Sequence, residues 1–494
     1  MNDLGASMTQ VSTANTMYPL VAGTFMIAGG MLGGVIGWRR TFRLGCFIYL
    51  LGELCATLSP SINVFIWAAR ILAGIGGSFM IPSVFGLITG LYAGRERAMA
   101  FGALGAASGV SFALGPIVCG ALLDTLGWRW AFAVMGTLLI IILFCSLLIK
   151  EPEKSGKPIQ FDFPGFILAT TGLFLVVFGV LQISVWGLLT PFKPPFTLFS
   201  LSPALFLVAA GLVILGLMLR LERMREERTG SALVPRAFLH TPQVRAGLYL
   251  TAYIFFAYSS GIFSVVSFSQ VVIGLTAIQT GWLIVPFALC LAGCSLGLPA
   301  LLHTRKPRKE CRIGLVFGMA GALVTASGIH EQSFSLTLMT TGLCFIGASM
   351  GIIAANAPYL VTSGLAEKEA RQSGGIQAAA RDIGQALGIA LVSTVMLTML
   401  TMSMKNQSQH ADLSFKTRHM VQQMAVIPYI EDKHFNALMI KAGAIENERP
   451  VLMHLYQRAR ARVTKAGLFS MVIMTMLFLL ATKNVPVSTS EDKY

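Results

Sequence analysis

Ionisable residues that interrupt apolar stretches are the positions in this chain best able to do chemistry. Glu53 lies near the middle of the stretch 44–60, Arg70 lies in the next one, and Arg381 and Asp382 lie in a later one. A carboxyl group surrounded by apolar side chains can bind and release a proton or another cation, and an arginine can pair with it. Glu53 is the first candidate for that role, with Arg70 as its partner and Asp382 as the second carboxyl.

Each of these residues also has a structural interpretation. Glu53 could be a neutral carboxyl group that is hydrogen-bonded to a neighbouring helix, and Arg70 could hold helix geometry. Arg381 and Asp382 are expected about 10 Å into a helix that begins near residue 374. Because adjacent side chains on a helix point in different directions, one of them should line a cavity while the other reaches the cytoplasmic interface.

Membrane-spanning helices must position these residues. A helix of 17 to 25 apolar residues matches the roughly 30 Å hydrocarbon core of a bilayer, and only helices or closed barrels satisfy backbone polar groups there. The sequence therefore predicts an all-α polytopic membrane protein with 13 spans. The predicted spans are 16–36, 44–60, 64–92, 100–123, 131–149, 165–185, 201–220, 246–270, 278–302, 313–329, 334–362, 374–402 and 464–482.

Composition supports this class and argues against others. The 494 residues are 55% hydrophobic and 12% charged, whereas soluble domains carry about 25% charged residues. The net charge of +15 comes from short loops rather than one continuous face, so it indicates membrane orientation and not nucleic-acid binding. Eight cysteines lack metal-ligand spacing, and the spans contain no nucleophile motif or catalytic dyad. We expect no metal, no cofactor and no enzymatic activity.

Lysine and arginine concentrate in alternate loops, which predicts the orientation. Basic residues cluster at 39–43, 95–97, 150–157, 220–236, 305–312 and 368–371, whereas the opposite short loops hold essentially Arg129 and Lys193. By the positive-inside rule the first set is cytoplasmic. The segment 1–15 is then outside the membrane, and the tail 483–494 is inside.

The one long loop, residues 403–463, is predicted on the outside. Its basic residues do not conflict with the rule, because long loops are translocated regardless of charge. The runs 437–442 and 451–456 indicate short amphipathic helices. The loop is interpreted either as a cap on the helical bundle or as a docking surface for a periplasmic partner.

A glycine- and arginine-rich motif follows the first span. It reads Gly30-x-Leu32-x-Gly34-Val35-x-Gly37-Trp38-Arg39-Arg40. Glycines there permit close helix contact, and the arginines can meet lipid headgroups or a carboxylate. The motif resembles the loop signature of the major facilitator superfamily, which has an acidic residue where Gly34 stands and a basic one at Val35. The charge relay within that signature is therefore absent here.

Further motifs occur in the order typical of the same family. Arg70-x-x-x-Gly74-x-Gly76 resembles the family's membrane arginine motif, and Gly115-Pro116-x-x-x-Gly120 resembles its antiporter motif. Trp128-Arg129-Trp130 resembles the turn typical of the 14-helix drug–proton antiporter branch. Segments beginning at Gln270 and at Arg381 resemble motifs of the second half.

The resemblance implies two six-helix halves joined by two extra helices, with the first helix of the family absent. The implied N-terminal half is 16–149, the linker with its extra helices is 150–220, and the C-terminal half is 221–402 with 464–482. Many relatives carry an acidic residue in that helix, so no corresponding proton site can be assigned in this chain.

The resemblance also implies a function. We expect proton-coupled efflux of amphipathic, drug-like molecules across the bacterial inner membrane by alternating access, driven by the proton gradient. Glu53, Asp382 and Arg70 are the coupling candidates, while the motif residues Gly30, Gly37, Arg39, Arg40, Gly115, Pro116 and Gly120 are expected to act in gating. Polar and aromatic side chains expected in the substrate cavity are Gln270, Asn356, Tyr253, Phe256 and Tyr258.

Two other interpretations stay open. The chain could export one native compound such as a siderophore or metabolite, or it could be a non-transporting remnant that has lost its first helix. The expected partners are small amphipathic molecules, protons and membrane lipids, with a periplasmic adaptor protein as a further possibility and no nucleic acid.

Overall fold

The computed structural model describes residues 4, 8–152, 162–187, 197, 201–229, 234–301 and 306–487. Parts of the predicted segment 1–15, the linker 150–220 and the tail 483–494 lie outside these ranges. The described residues form eighteen α-helices and no strand, and Ile329 and Phe334 form an isolated bridge. The helices are α1 Met8–Ile36, α2 Trp38–Thr57, α3 Ile62–Val64, α4 Ile71–Leu91, α5 Gly94–Thr125, α6 Trp128–Cys145, α7 Phe163–Trp186, α8 Pro203–Thr229, α9 Ala237–His240, α10 Pro242–Ser267, α11 Ala277–Leu301, α12 Pro307–Ser327, α13 Leu336–Ala354, α14 Ala357–Ser363, α15 Glu367–His410, α16 Phe415–Gln423, α17 Asp432–Lys441 and α18 Arg449–Ala481.

Twelve helical segments in the described ranges are long and apolar enough to cross a membrane. Each coincides with one of the predicted spans. The predicted span that is not among these twelve is the second one, 44–60, which corresponds to α2. This helix carries Arg39, Arg40, Arg43 and Glu53 and is therefore less apolar than the other twelve. Its 20 residues nevertheless cover about 30 Å at 1.5 Å per residue, and α2 packs between α4 and α6.

Glycines allow the helices to approach closely. A β-carbon added at Gly30 of α1 would lie 2.8 Å from Cα of Gly375 on α15, and one at Gly347 of α13 would lie 2.1 Å from the backbone oxygen of Phe287 on α11. Such contacts between small residues are the usual basis of helix association in membranes.

The bundle has an N-terminal half, α1 to α6, and a C-terminal half, α10 to α15 with α18. Within the halves, α4 packs on α1 and α2, while α10 packs on α15 and α12 on α13. The halves meet where α1 and α4 contact α15 and where α5 contacts α11. Ser295 of α11 closes the second contact by donating a hydrogen bond to the carbonyl oxygen of Gly102, at 2.9 Å.

The two extra helices, α7 and α8, pack on each other, and α7 also contacts α1 and α15. Asp162 begins α7 by accepting a hydrogen bond from the backbone N–H of Gly165, at 3.1 Å, and pairs with Arg225 of α8. A capping carboxylate at the N-terminus of a helix satisfies an unpaired donor there. The extra helices thus lie beside the contact between the halves.

The long loop 403–463 differs in part from the prediction. One of its helices, α17, covers the run predicted at 437–442, but residues 451–456 belong to the start of α18 and do not form a separate helix. Likewise α15 continues from the predicted span end at 402 to His410. Residues 411–448 and the adjoining helix ends share a core that includes Leu413, Val421, Phe435, Leu452 and Tyr456. We call residues 411–448 the cap.

Candidate functional site

Glu53 lies closer to one end of its helix than the sequence indicated. It is four residues before Thr57, the last residue of α2, or about 6 Å along the axis. The side chain is buried, with 4% of its surface exposed. Its Cβ would lie 3.8 Å from a β-carbon added at Gly136, so it faces α6. The expectation of a position near the middle of the span was wrong, because α2 begins at Trp38 and ends at Thr57.

Arg70 connects the start of α4 to α1. It ends a π-helical turn, Phe65–Arg70, and its Nε donates a hydrogen bond to the carbonyl oxygen of Ala14 at 3.3 Å. Its guanidinium carbon lies 5.5 Å from the ring centre of Tyr18. Arg70 is the charged group that acts electrostatically on Glu53, although no ion pair within 4.0 Å joins them among the described residues. It therefore fixes helix geometry while it contributes positive charge near the carboxyl group.

Two tyrosines that the sequence analysis did not select lie between the charged positions. Tyr18 of α1 stacks on Tyr49 of α2 with ring centres 6.0 Å apart. Tyr49 lies near Glu53, and Tyr18 lies near Arg381 and Asp382. The only sequence signal for them was a polar hydroxyl group inside an apolar stretch. The two tyrosines link the Glu53 region to the C-terminal half.

Arg381 and Asp382 point to different surroundings, as predicted for adjacent helix positions. The guanidinium carbon of Arg381 lies 4.5 Å from the ring centre of Phe255 on α10. The carboxyl group of Asp382 packs against Gly23 of α1, and its buried Oδ2 has no hydrogen-bond partner. Because α15 begins at Glu367, the pair lies about 22 Å along the helix rather than the expected 10 Å.

An apolar cavity of about 120 Å³ lies between the two halves. Its walls come from α4 and α5 on one side and from α10, α11, α13, α14 and α15 on the other, and Arg381 is the charged residue among them. Phe112 of α5 lines it and stacks on Tyr258 of α10, with ring centres 3.8 Å apart. The apolar walls with few polar groups suit an amphipathic organic molecule, but the volume in this conformation is below the roughly 300–1,000 Å³ typical of small-molecule sites, so the halves must separate further to admit one.

The residues expected to line the substrate cavity occupy varied positions. Tyr258 reaches its edge through Phe112, whereas Tyr253 and Phe256 are buried in the C-terminal half. The hydroxyl group of Tyr253 forms a hydrogen bond with Ser349 Oγ at 3.0 Å. Gln270 lies in the π-helical turn Phe268–Val272 that follows α10.

Asn356, another of the expected cavity residues, lies at the break between α13 and α14. Its Nδ2 donates hydrogen bonds to Glu310 Oε2 at 3.0 Å and to the carbonyl oxygen of Ile352 at 2.9 Å. The predicted single span 334–362 is interrupted here, where Pro358 lies in the first turn of α14. In this conformation Asn356 stabilises the break and does not line the cavity between the halves.

Arg39 of the first motif binds the segment that follows α6. Gly37 separates α1 from α2 with a φ of 103°, a conformation that favours glycine. The Arg39 backbone N–H then donates to Glu151 Oε2 at 3.2 Å, and its Nη1 donates to the carbonyl oxygen of Ile149 at 3.2 Å. Arg40 is exposed. Glu151 thus supplies a carboxylate to this turn. The family signature instead has its acidic residue within the motif, where Gly34 stands in this chain.

The other motif glycines differ in their surroundings. A β-carbon at Gly115 of α5 would meet no atom within 4 Å, whereas one at Gly120 would lie 3.1 Å from Ile278 of α11. Pro116 lies inside α5. No group of three or more His, Cys, Asp or Glu side chains in the described ranges could hold a metal ion.

A helical membrane transporter is the class that this bundle and its cavity between two halves define. The family model for the Major Facilitator Superfamily matches residues 1–389, and the chain belongs to that family.

Curated relatives are bacterial resistance and export proteins. A probable actinorhodin transporter from Streptomyces coelicolor is 27% identical over 81% of this chain and 68% of its own length. The puromycin resistance protein pur8 of Streptomyces alboniger is 28% identical over 80% of this chain and 75% of its own. The multidrug resistance protein Stp of Mycobacterium tuberculosis is 25% identical over 88% of this chain and 77% of its own.

Solved structures agree on the fold. The proton:xylose symporter XylE matches 98% of this chain and 90% of its own with a TM-score of 0.51 and 12% identity. The human organic anion transporter MFSD10 matches 78% of each chain with a TM-score of 0.52 and 16% identity. The predicted all-α major facilitator fold is confirmed.

Proposed function

We propose that this protein exports amphipathic, drug-like molecules across the bacterial inner membrane in exchange for protons, by alternating access. The observation that carries the proposal is the apolar cavity between the halves, beside which the Arg381–Asp382 pair lies. The names of the relatives, which include antibiotic and multidrug resistance proteins, support export of this substrate class.

The buried carboxyl groups would carry the proton. Glu53 belongs to the N-terminal half and Asp382 to the C-terminal half, so a proton on either can favour one arrangement of the halves over the other. Coupling requires that proton and substrate bind the two conformations with different affinity, because equal binding shifts no equilibrium. Transporters of this kind bind their substrates at the interface between repeats, and the cavity lies between the two halves.

The proposed orientation follows the basic loops, with the N-terminus outside and the C-terminus in the cytoplasm. The cap then lies on the periplasmic side. Its own apolar core, together with Leu452 and Tyr456 of α18, supports the interpretation as a cover on the bundle. A periplasmic adaptor that docks on the cap stays a second possibility.

Substrate-driven proton movement in proteoliposomes tests the proposal. Puromycin is added on one side of vesicles that contain a trapped pH-sensitive dye, and proton flux is compared for the wild type, Glu53→Gln and Asp382→Asn. We expect the flux to fall about tenfold or more in at least one variant, because its carboxyl group can no longer exchange a proton. Glu446→Gln, an exposed acid near α18, is the matched control. Transport of puromycin without proton flux would contradict the antiport mechanism.

Export of one native compound is the second candidate function. It is favoured by relatives whose names specify natural products, a probable actinorhodin transporter and a tetracenomycin C resistance and export protein. A panel of aromatic compounds in the same assay separates the two candidates. Flux with one compound alone supports a specific exporter, and an inactive chain supports the non-transporting alternative.

A further inference from the structure

The cap covers a second cavity, at the opposite ends of two helices that wall the first one. Its volume is about 570 Å³, within the range of roughly 300–1,000 Å³ typical of small-molecule sites. Phe263 and Ser267 of α10, Ser393 and Met396 of α15, and Tyr429 and Leu438 of the cap line it. Ser393 is twelve residues beyond Arg381 on α15, so the two cavities lie about 18 Å apart along this helix.

The roof of this cavity is a strap, residues 424–431, that connects α16 to α17 without regular structure. Side chains from the bundle hold its backbone. Thr401 Oγ1 accepts a hydrogen bond from the N–H of Ile427 at 3.0 Å, and the hydroxyl group of Tyr456 binds both the N–H and the carbonyl oxygen of Ile430. Because other residues satisfy the backbone, the side chains of the strap are left to line the cavity.

Arg460 of α18 fixes the strap to the π-helical turn that follows α10. The side chain is fully buried, and its Nη1 donates to the carbonyl oxygens of Ile430 and Val271, at 2.8 and 3.4 Å. Its Nη2 pairs with Asp432 at the start of α17. A buried arginine with several acceptors holds its neighbours in one geometry. In this structure the strap is therefore a wall held by buried hydrogen bonds.

The chemistry of the walls selects the ligand. Most lining residues are apolar, and the described ones include no charged side chain. Ser267, Ser393 and Tyr429 supply hydroxyl groups, and the Tyr429 hydroxyl forms a hydrogen bond with Thr464 Oγ1 at 3.0 Å. Burial raises the pKa of Tyr429, so its phenol stays neutral. Phe263 and Tyr429 offer aromatic rings.

We propose that the cavity beneath the cap is a second binding site, which takes an uncharged aromatic molecule carrying a hydrogen-bonding group. Because the site lies at the outer ends of α10 and α15, an exported molecule would bind there after it leaves the central cavity. That place in transport rests on the proposed export function, whereas the binding itself does not.

Photolabelling with benzophenone tests the site in the complete protein. Benzophenone is an uncharged aromatic ketone, and under ultraviolet light it forms a covalent bond to nearby C–H groups, readily to those of methionine. Met396 is 2% exposed and lines the cavity, whereas Met399 on the same helix is 47% exposed. The protein is labelled in phospholipid nanodiscs without a proton gradient, and adducts at the two methionines are measured by mass spectrometry.

We expect adducts at Met396 despite its burial. Leu438→Trp fills the cavity and should lower labelling of Met396 about tenfold, as expected for a loss of about 1.4 kcal/mol in binding, without changing Met399. Ile440→Trp, on the exposed face of the same helix, is the matched control and should change neither.

Labelling of Met399 alone would overturn the proposal, since it would mean that the cavity is closed or already holds a lipid chain. Undiminished labelling of Met396 in Leu438→Trp would overturn it as well. If that variant does not fold, Ser393→Phe fills the cavity from the side of α15 and gives the same test. Because no transport is measured, failure here leaves the proposed export function standing, and failure of export leaves this result standing.

Discussion

The carboxyl group of Asp382 on α15 lies against the backbone of Gly23 on α1. A β-carbon added at Gly23 would be 3.5 Å from Oδ2 of Asp382 and 3.4 Å from a methyl group of Val177. These distances are ordinary van der Waals contacts, so the site has room for one added carbon and no more. A carboxyl group of the C-terminal half thus touches a helix of the N-terminal half, and any relative movement of the two helices changes its surroundings.

Substitutions at Gly23 and at Asp382 should therefore distinguish the effect of displacing the carboxyl group from the effect of removing its charge. Gly23→Ala should retain most of the substrate-driven proton flux, whereas Gly23→Leu should displace the Asp382 carboxyl group and lower the flux about tenfold. Asp382→Asn should give a similar loss without any change in packing. Flux in proteoliposomes measures all three, and full activity of Gly23→Leu would show that this contact does not matter for transport.

Trp38 should make two glycines intolerant of substitution. Its buried indole ring lies between α1 and α4, where a β-carbon at Gly33 or Gly86 would approach it to 2.1 or 2.3 Å. Gly86→Ala must push the ring aside, and we expect the free energy of unfolding to fall by about 1–3 kcal/mol. A lower melting temperature of the purified protein would reveal the loss.

Gly293→Ala is the matched control for Gly86→Ala, since a β-carbon at Gly293 would meet no atom within 4 Å. Alanine there should leave stability unchanged or raise it by up to about 1 kcal/mol, because alanine favours a helix more than glycine does. Equal melting temperatures for Gly86→Ala and Gly293→Ala would contradict the packing argument.

Hydropathy predicted the spans well because each one must satisfy its backbone in lipid. It placed helix ends less well where a helix continues into water. Residues 403–410 and 451–463 contain neither glycine nor proline, so nothing in the sequence ends α15 at the membrane surface or delays the start of α18. The cap could not be predicted, because its core joins residues far apart in the chain, such as Phe435 and Tyr456.

The candidate site was predictable only in part, because it too depends on contacts between residues far apart in the chain. A charge in an apolar stretch identifies Glu53, Arg70 and Asp382 without any knowledge of their neighbours. The direction in which a side chain points depends on which helix packs beside it. Tyr253 and Tyr258 are five residues apart on α10, yet one forms a hydrogen bond in the core and the other stacks at the cavity.

Glu151 should matter for the first turn of α2. It accepts a hydrogen bond from the backbone N–H of Arg39 and lies 3.8 Å from the Arg39 Nε. Glu151→Gln removes a negative charge from the N-terminus of a helix, and we expect a loss of about 1 kcal/mol in the free energy of unfolding. Thermal melting at low and high salt checks this, because the charge part of the effect should shrink as salt rises. A salt-independent difference would assign the effect to packing.

Arg460 should be the residue on which the cap depends most. Its buried guanidinium group joins the strap, α17 and the end of α10 through Ile430, Asp432 and Val271. Arg460→Met leaves those acceptors without a donor, and we expect the free energy of unfolding to fall by about 3 kcal/mol. This is the lower end of the roughly 3–5 kcal/mol for breaking a buried ion pair, because Asp432 is 43% exposed. Arg462→Met, on the exposed face of the same helix, should change stability little.

Limited proteolysis checks whether the loss of stability is local to the strap, because cleavage within 424–431 should rise in Arg460→Met alone. Cleavage that rises equally in both variants would mean that Arg460 does not hold the strap.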